Sequence, residues 1–303
     1  MTAPADPLAA HRHALADAGL LSPAGAAGLY GRTHAFERLV AGVEATMARA
    51  AADAGATVVR FPPVIPAWVL ERTGYLQSFP DLVGVVHTFR GGDDGHRRLV
   101  ERLEGGEEWA EALEASGTAL CSAACHPLYS WVPPKLPPGG ALWDVYGWVF
   151  RSEPSPDPAR MQAFRQYEVV FVGEPDGAVA HRDRWAEWAL GLTRRLGLEA
   201  RSQPANDPFF GRSGRLLAAS QRQLGLKYEV VCPVGPEREA AVASANYHQD
   251  HFGTAFGLQD AGGDPAHSAC FGLGPERLVL ALLHAHGLDP ARWPAPVLHH
   301  LGC

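Results

Sequence analysis

At 303 residues, with 47% hydrophobic and 19% charged residues, the chain has material for one large core or two modest ones, and its 33 glycines and 25 prolines point to many turns and ordered loops, not disorder. A net charge of -7 argues against a broad surface for gripping a nucleic-acid backbone. Met1–Ala10 lacks a basic region and a long apolar core, and no apolar run of about 18 residues occurs, so neither a secretory leader nor a membrane span is expected. The five cysteines are odd in number and scattered, which reads as thiols or metal ligands of a cytoplasmic protein.

Residues 1–32 are rich in Ala, Gly and Pro and read as an N-terminal arm. Thr33 is placed to cap a helix running to about Ala54, with Phe36, Leu39, Val40, Val43 and Met47 at helical spacing and Gly55 as its stop. Thr57–Phe61 reads as a strand, residues 66–80 as a short helix and loop, and Leu82–Phe89 as another strand. The run Gly91-Gly92-Asp93-Asp94-Gly95 predicts a polar hairpin. Gly139-Gly140 leads into a strand from Trp143 to Phe150. Arg151 and Glu153 follow two apart, and in an extended chain their side chains face the same way. A loop with Pro154, Pro156 and Pro158 precedes a second strand-like run, Val169–Val172. Residues 181–200 form an amphipathic helix with Trp185, Trp188, Leu192 and Leu196 on one stripe. Lys227–Pro233 reads as a strand, and Pro275–His286 as the last long helix, with proline in its first turn. Strands interrupted by helices predict an α+β fold, a mostly antiparallel sheet flanked by helices. No Gly-rich phosphate loop follows a strand, which disfavours a doubly wound parallel sheet.

Several polar groups carry possible chemistry. An Arg-x-Glu pair suits a nucleotide, because a guanidinium forks onto phosphate oxygens and a carboxylate accepts from an amino group. The same pair, taken alone, also fits a surface ion pair. Two cysteines and a carboxylate, Cys125, Glu168 and Cys270, have donor chemistry for zinc with one open position. On spacing alone, isolated cysteines read more readily as small buried hydrophobes.

The ordered set is more specific than its parts. It includes Glu71-Arg72-Thr73-Gly74-Tyr75, Ala123-Ala124-Cys125-His126-Pro127, Phe150-Arg151-Ser152-Glu153, Asp157-Pro158-Ala159-Arg160-Met161-Gln162-Ala163-Phe164-Arg165, Asn206-Asp207-Pro208-Phe209-Phe210-Gly211-Arg212, Asn246-Tyr247-His248-Gln249-Asp250-His251-Phe252-Gly253, His267-Ser268-Ala269-Cys270 and Gly272-Leu273-Gly274-Pro275-Glu276-Arg277. Over roughly residues 34 to 290 it resembles the amino acid:carrier protein ligases. These are a truncated branch of the atypical zinc-dependent seryl-tRNA synthetases, with a class II synthetase catalytic core. The resemblance implies ATP-dependent activation of a small amino acid, glycine or alanine, as an aminoacyl adenylate, and transfer to the phosphopantetheine thiol of an acidic carrier protein. It further implies Arg151 on the α-phosphate, Glu153 on the adenine edge, Arg160 and Met161 bordering the nucleotide, and Arg277 at the γ-phosphate. Cys125, Glu168 and Cys270 would hold Zn²⁺, and the zinc would hold the substrate amine.

Around the implied pocket lie Asp207, Glu229 and Asn246 for the amino acid and Lys227 for ATP or a carboxylate; each also fits a solvated loop. Mg²⁺ would sit on the phosphates with Glu229 and Ser244 as candidate ligands, and Glu237 and Glu239 match the family's metal glutamate only approximately. Two departures stand out: His126 replaces a common Tyr, and Gln166-Tyr167 replace a usual Met-Arg. Cys121 is a competing thiol; Cys232 and Cys303 read as structural. The helix followed by a strand at residues 33–61 resembles the family's dimer-forming motif, so a homodimer is expected. The domain reading is an arm over 1–32 and a catalytic domain over 33–303 with a helical insertion near 181–201. Arg182, Arg184, Arg194, Arg195 and Arg201 offer a positive patch there for an acidic carrier. A tRNA-charging enzyme would need an appended tRNA-binding domain or a broad basic surface, and a non-catalytic relative would not need the full set of Arg151, Glu153, Arg277 and three metal ligands; tRNA is therefore not an expected partner.

Overall fold

The computed structural model describes residues 6–207, 210 and 221–302. Pro208, Phe209, Gly211 and Arg212 of one motif, Met1–Ala5 of the arm, and Cys303 lie outside the described residues. The strands run in the order β1 (Leu21–Pro23), β2 (Tyr30–Arg32), β3 (Thr57–Val59), β4 (Val64–Pro66), β5 (Val85–Thr88), β6 (Glu114–Leu120), β7 (Ala141–Phe150), β8 (Ala163–Gly173), β9 (Arg201–Pro204), β10 (Lys227–Gly235), β11 (Arg238–Gln249) and β12 (His267–Leu273). The principal sheet has the order β3-β7-β8-β12-β11-β10-β9. Its β3–β7 pair is parallel and the others are antiparallel. β1 and β2 form a hairpin, and β4-β6-β5 form a small second sheet. The fold is thus α+β, an antiparallel-rich sheet flanked by helices.

The helix His34–Asp53 starts where Thr33 accepts the Phe36 N–H and buries Phe36, Leu39, Val40, Val43 and Met47. Gly55 then takes φ +79°, a left-handed turn that costs glycine little. Pro275–His286 buries every residue from Leu278 to Leu283, as an apolar helix must when packed on several sides. These two helices and the longer Pro175–Arg195 share one core with β8, β10, β11 and β12. Leu15, Leu20 and Leu21 of the N-terminal arm enter the same core. Trp185 stacks on Phe271 with ring centroids 5.1 Å apart, so the Pro175–Arg195 helix lies against that face of the sheet.

Strand alternation assigns the two faces. Tyr167 and Val169 of β8 point into the helix-packed core. Glu168 lines a cavity on the other side, and Val170 and Val172 join a second cluster there with Val145, Cys125 and Cys270.

Several sequence expectations need correction. The segment after Gly92 is a helix, Asp93–Glu104, instead of a hairpin. Asp93 and Asp94 suit the positive end of a helix, Arg102 suits its last turn, and Arg97 pairs with Asp94 at 2.8 Å. Arg151 and Glu153 do not lie in a strand: β7 ends at Phe150, because the proline-rich loop cannot continue the ladder. Conversely, β8 begins at Ala163, well ahead of Val169. The strands at residues 57–61 and 82–89 shrink to β3 and β5. The helix expected from residue 181 starts at Pro175, another proline in a first turn.

Candidate active site

Neighbouring strands carry the polar residues of the site in two rows. One row runs Glu168, Gly272, Ser244 and Glu229 across β8, β12, β11 and β10; the next runs Cys270, Asn246 and Lys227. All of these residues line one cavity of about 580 Å³, together with Cys125, Arg151, Met161, Asp207 and Arg277. Glu153 and Arg160 are absent from its lining and pair with each other at 3.2 Å, Arg160 being 47% exposed.

In this cavity, ligand atoms of Cys125, Glu168 and Cys270 lie within 4.8 Å of one another. Cys125 is placed by the turn that opens the short helix His126–Ser130, Glu168 by the middle of β8, and Cys270 by the middle of β12. All three are buried, and among the described residues the Oε2 atom of Glu168 has no hydrogen-bond partner. A buried carboxylate oxygen left unpaired is costly, and a metal would satisfy it. The donor set fits Zn²⁺, with thiolates and one carboxylate leaving a fourth position open. The Cys125 thiol donates toward Cys270, which holds the Cys270 thiol well below its ordinary range and raises that of Cys125. Burial, reinforced by the Cys270 charge, pushes the Glu168 carboxyl up to about 8. Cys121 is not in this cluster: its thiol bonds the Ala123 carbonyl at 3.1 Å, and burial raises it to about 12. Cys232 is buried in the helix-packed core.

The wall beside Cys125 is aromatic. His126 meets Tyr75 edge-on at 5.4 Å and packs near Phe252. Its Nδ1 lies 2.9 Å from Ser122 Oγ. Burial, with Arg151 nearby, lowers the imidazole to about 3, so it is neutral.

Guanidinium groups also line the cavity. Arg151 donates to the Ser122 carbonyl at 3.2 Å and lies over Phe164. Arg277 donates to the carbonyls of Ala159 and Ala241 at 2.8 and 3.1 Å. Burial and the neighbouring charges of Arg151 and Arg160 lower the Arg277 guanidinium. Guanidinium groups lining a cleft suit a polyanionic ligand. Glu276 of the same motif also borders the cavity, but its carboxylate is engaged by the protein. It is held by Arg165, Nε to Oε1 2.7 Å, and Arg165 also grips Glu37 through two hydrogen bonds of 2.7 and 2.9 Å.

Lys227, read from the sequence as meeting ATP or a carboxylate, is engaged by carboxylates of the protein: its Nζ is 2.5 Å from Asp207 and 3.1 Å from Glu229. Gln221 donates to the other Asp207 oxygen at 2.8 Å. Burial pushes the Asp207 carboxyl up, but Lys227 and Gln221 outweigh it and leave it below the usual range. Among the approximate metal glutamates, Glu239 is exposed and taken by Arg201 at 2.5 and 2.6 Å, and Glu237 sits in the turn after β10 at φ +53°. Neither lines the cavity.

The arginine patch lies on the Pro175–Arg195 helix and just beyond it. Its helix packs on Phe271, the face of the sheet turned away from Glu168 and Cys270. Arg182 is occupied by Asp183 and the Gly225 carbonyl. Sequence reasoning also left His248 without a role. It lines the cavity, and its Nε2 lies 3.5 Å from the Cys270 sulfur. The signal was present in Asn246 and His248, two apart, but the alanines of β11 hid the strand.

Amino acid–acyl-carrier-protein ligase 2 of Bradyrhizobium diazoefficiens is 44% identical over 302 residues, covering 99% of this chain and 89% of that protein. The chain belongs to the amino acid–acyl-carrier-protein ligase family. It is therefore a ligase, an enzyme of the class that aminoacylates carrier proteins. Ligase 1 of the same organism is 42% identical over 281 residues, covering 92% of this chain and 86% of its own length. The type-2 serine–tRNA ligase of Methanopyrus kandleri is 31% identical over 268 residues; the ligase described here spans only 50% of that protein. In fold, it matches the M. kandleri seryl-tRNA synthetase solved with A. aeolicus tRNASec at a TM-score of 0.81 and 23% identity, over 96% of this chain and 59% of that one. The Pyrococcus horikoshii seryl-tRNA synthetase complexed with ATP matches at 0.70 and 15% identity, over 97% and 63%. No family model matches the chain.

Proposed function

We propose that this ligase activates glycine or alanine with ATP as an aminoacyl adenylate and passes the aminoacyl group to the phosphopantetheine thiol of an acidic carrier protein. The observation that carries this reading is the convergence of Cys125, Glu168 and Cys270 in one cavity with Arg151 and Arg277. When bound by the two thiolates and the carboxylate, zinc offers an open position for a substrate amine. Arg151 then holds the α-phosphate and Arg277 the γ-phosphate, each with its charge already aimed by backbone carbonyls. Glu229 and Ser244, cross-strand neighbours on the cavity wall, supply hard oxygen ligands suited to Mg²⁺ on the phosphates. Glu153 accepts from the adenine amino group, Arg160 and Met161 border the base, and Asn246 and Asp207 order the wall. Tyr75, His126 and Phe252 crowd the Cys125 side, which supports a substrate with a short side chain.

In the first step an amino-acid carboxylate oxygen forms a bond to the α-phosphorus as the bond to the pyrophosphate oxygen breaks. In the second, the carrier thiolate sulfur bonds to the acyl carbon and AMP leaves with the carbon–oxygen electron pair. Holding the reactants in line supplies much of the acceleration. The protein works as a cytoplasmic homodimer joined through the helix His34–Asp53 and β3, with residues 33–303 as the catalytic domain, and it does not need tRNA.

Pyrophosphate exchange across all twenty amino acids tests the reading. Exchange with glycine or alanine, and thioester formation on a phosphopantetheinylated carrier, is the expected result. Exchange with none of them, or acylation of tRNA in a parallel assay, overturns it.

A further inference from the structure

We infer that Asn246 and His248 form a two-donor clamp on the Cys270 sulfur, with Ser268 orienting the imidazole, and that His248 is a positioning residue for the metal ligand set. This rests on the zinc reading above.

The backbone explains how two residues of one strand reach one atom. Asn246 lies directly opposite Cys270 in the β11–β12 register. The register then shifts: Tyr247 pairs with Ala269 and Gln249 with Ser268, leaving His248 as an extra, unpaired residue. Gln249 adopts φ +56°, a conformation rare for a side-chain-bearing residue. A bulge of this kind re-aims a side chain and is common beside functional sites. Here it brings His248 Nε2 to 3.5 Å from Cys270 Sγ, with Asn246 Nδ2 also at 3.5 Å.

The hydrogen bonding fixes the direction. A metal-bound cysteine has no S–H to give, so an imidazole nitrogen facing it must carry the proton and donate. In the neutral imidazole Nδ1 then accepts, and the Ser268 hydroxyl, fully buried and 3.0 Å away, donates to it. Phe252 packs edge-on against the ring at 4.9 Å and limits its rotation. Donors on a thiolate draw charge from sulfur, so a site with two cysteines and a carboxylate becomes less electron-rich and a better acceptor for an amine.

The test is metal affinity and spectroscopy on the full chain, without an activity readout. Zinc affinity is measured by competition with a chromophoric chelator, and Co²⁺ in place of zinc reports thiolate ligation through its sulfur-to-cobalt absorption band. Wild type is expected to bind zinc, and Cys125→Ser to lose it. His248→Phe is expected to weaken zinc about 10- to 100-fold and to move the cobalt band to lower energy. His248→Gln, which can still donate an N–H, recovers part of both. Ser268→Ala gives a smaller change in the same direction, and it serves as the deciding variant if circular dichroism shows that His248→Phe does not fold. Unchanged affinity and band position in folded His248→Phe, or in Ser268→Ala when that variant decides, overturn the clamp while the zinc reading stands. Zinc binding absent from wild type, or retained in Cys125→Ser, overturns the zinc reading and the clamp with it.

Discussion

The Lys227 ammonium lies 2.5 Å from the Asp207 carboxylate, with only 10% of the lysine side chain exposed. Glu229 supports the same ammonium from β10. This cation balances two carboxylates on the cavity wall, so its removal leaves both poorly compensated. Lys227→Met is expected to destabilise the fold by about 2–4 kcal/mol, under the about 3–5 kcal/mol of a fully buried pair because Asp207 keeps some solvent. Urea unfolding measures this. A change confined to the KM for ATP, with stability intact, would show instead that the lysine acts on the nucleotide.

Glu276 is 3% exposed and receives Arg165 through both side chain and backbone N–H. Arg32 stands 3.7 Å away, and Glu44, 3.6 Å from Arg165, accepts from the Tyr146 hydroxyl. Removing one member strands its partners. Glu276→Ala should therefore cost about 3–5 kcal/mol, read as a lower urea midpoint, and should lose activity only as far as the protein unfolds. Retained stability with abolished pyrophosphate exchange would move Glu276 from scaffold to chemistry.

Two buried histidines make the fold acid-sensitive. Burial lowers His126 to about 3 and His181 to about 4 from an ordinary 6.5. Between those values and 6.5 the unfolded chain holds protons that the folded chain does not. Stability is therefore fully present above about pH 6.5 and falls as pH drops through the window, by up to about 1.4 kcal/mol per pH unit for each histidine. His181 Nε2 donates to the Val169 carbonyl at 2.9 Å. If His181→Asn folds, its urea midpoint should depend less steeply on pH between 7 and 5 than that of wild type. An identical slope would remove His181 from the account.

Metal uptake should release protons. The Glu168 carboxyl, raised to about 8 without metal, and the raised Cys125 thiol are both protonated at neutral pH, whereas a ligand must be deprotonated. Zinc affinity is expected to tighten as pH rises toward 8, by about tenfold per unit for each proton displaced. Proton release on adding zinc to weakly buffered, metal-free protein checks this, and Cys125→Ser should abolish it. Binding without proton release would mean that these groups are not the ligands.

Local pattern made the long helices legible. Thr33, Gly55 and the spacing of Phe36 to Met47 mark one, and Gly274-Pro275 marks another. The seven-stranded order was not readable locally: β11 is built from alanines, and β9 from four residues with no alternation. Asp93–Glu104 hid behind glycines that also suit a turn, and it buries nothing that periodicity could report. For the site, Cys125, Glu168 and Cys270 came from family resemblance, since contacts between distant segments leave no trace in spacing. The resemblance did not reveal that Lys227 is held between carboxylates, nor the bulge that turns His248 inward. Both depend on side chains meeting across strands.

Tyr167 and Glu168 are consecutive, yet one is sealed among helices and the other opens onto the cavity. Deleting a single residue between Ala163 and Gln166 would turn the rest of β8 inside out, sending a carboxylate into hydrocarbon and a tyrosine into the reaction chamber. Chain length within this strand is thus tied to what each of its two faces must meet.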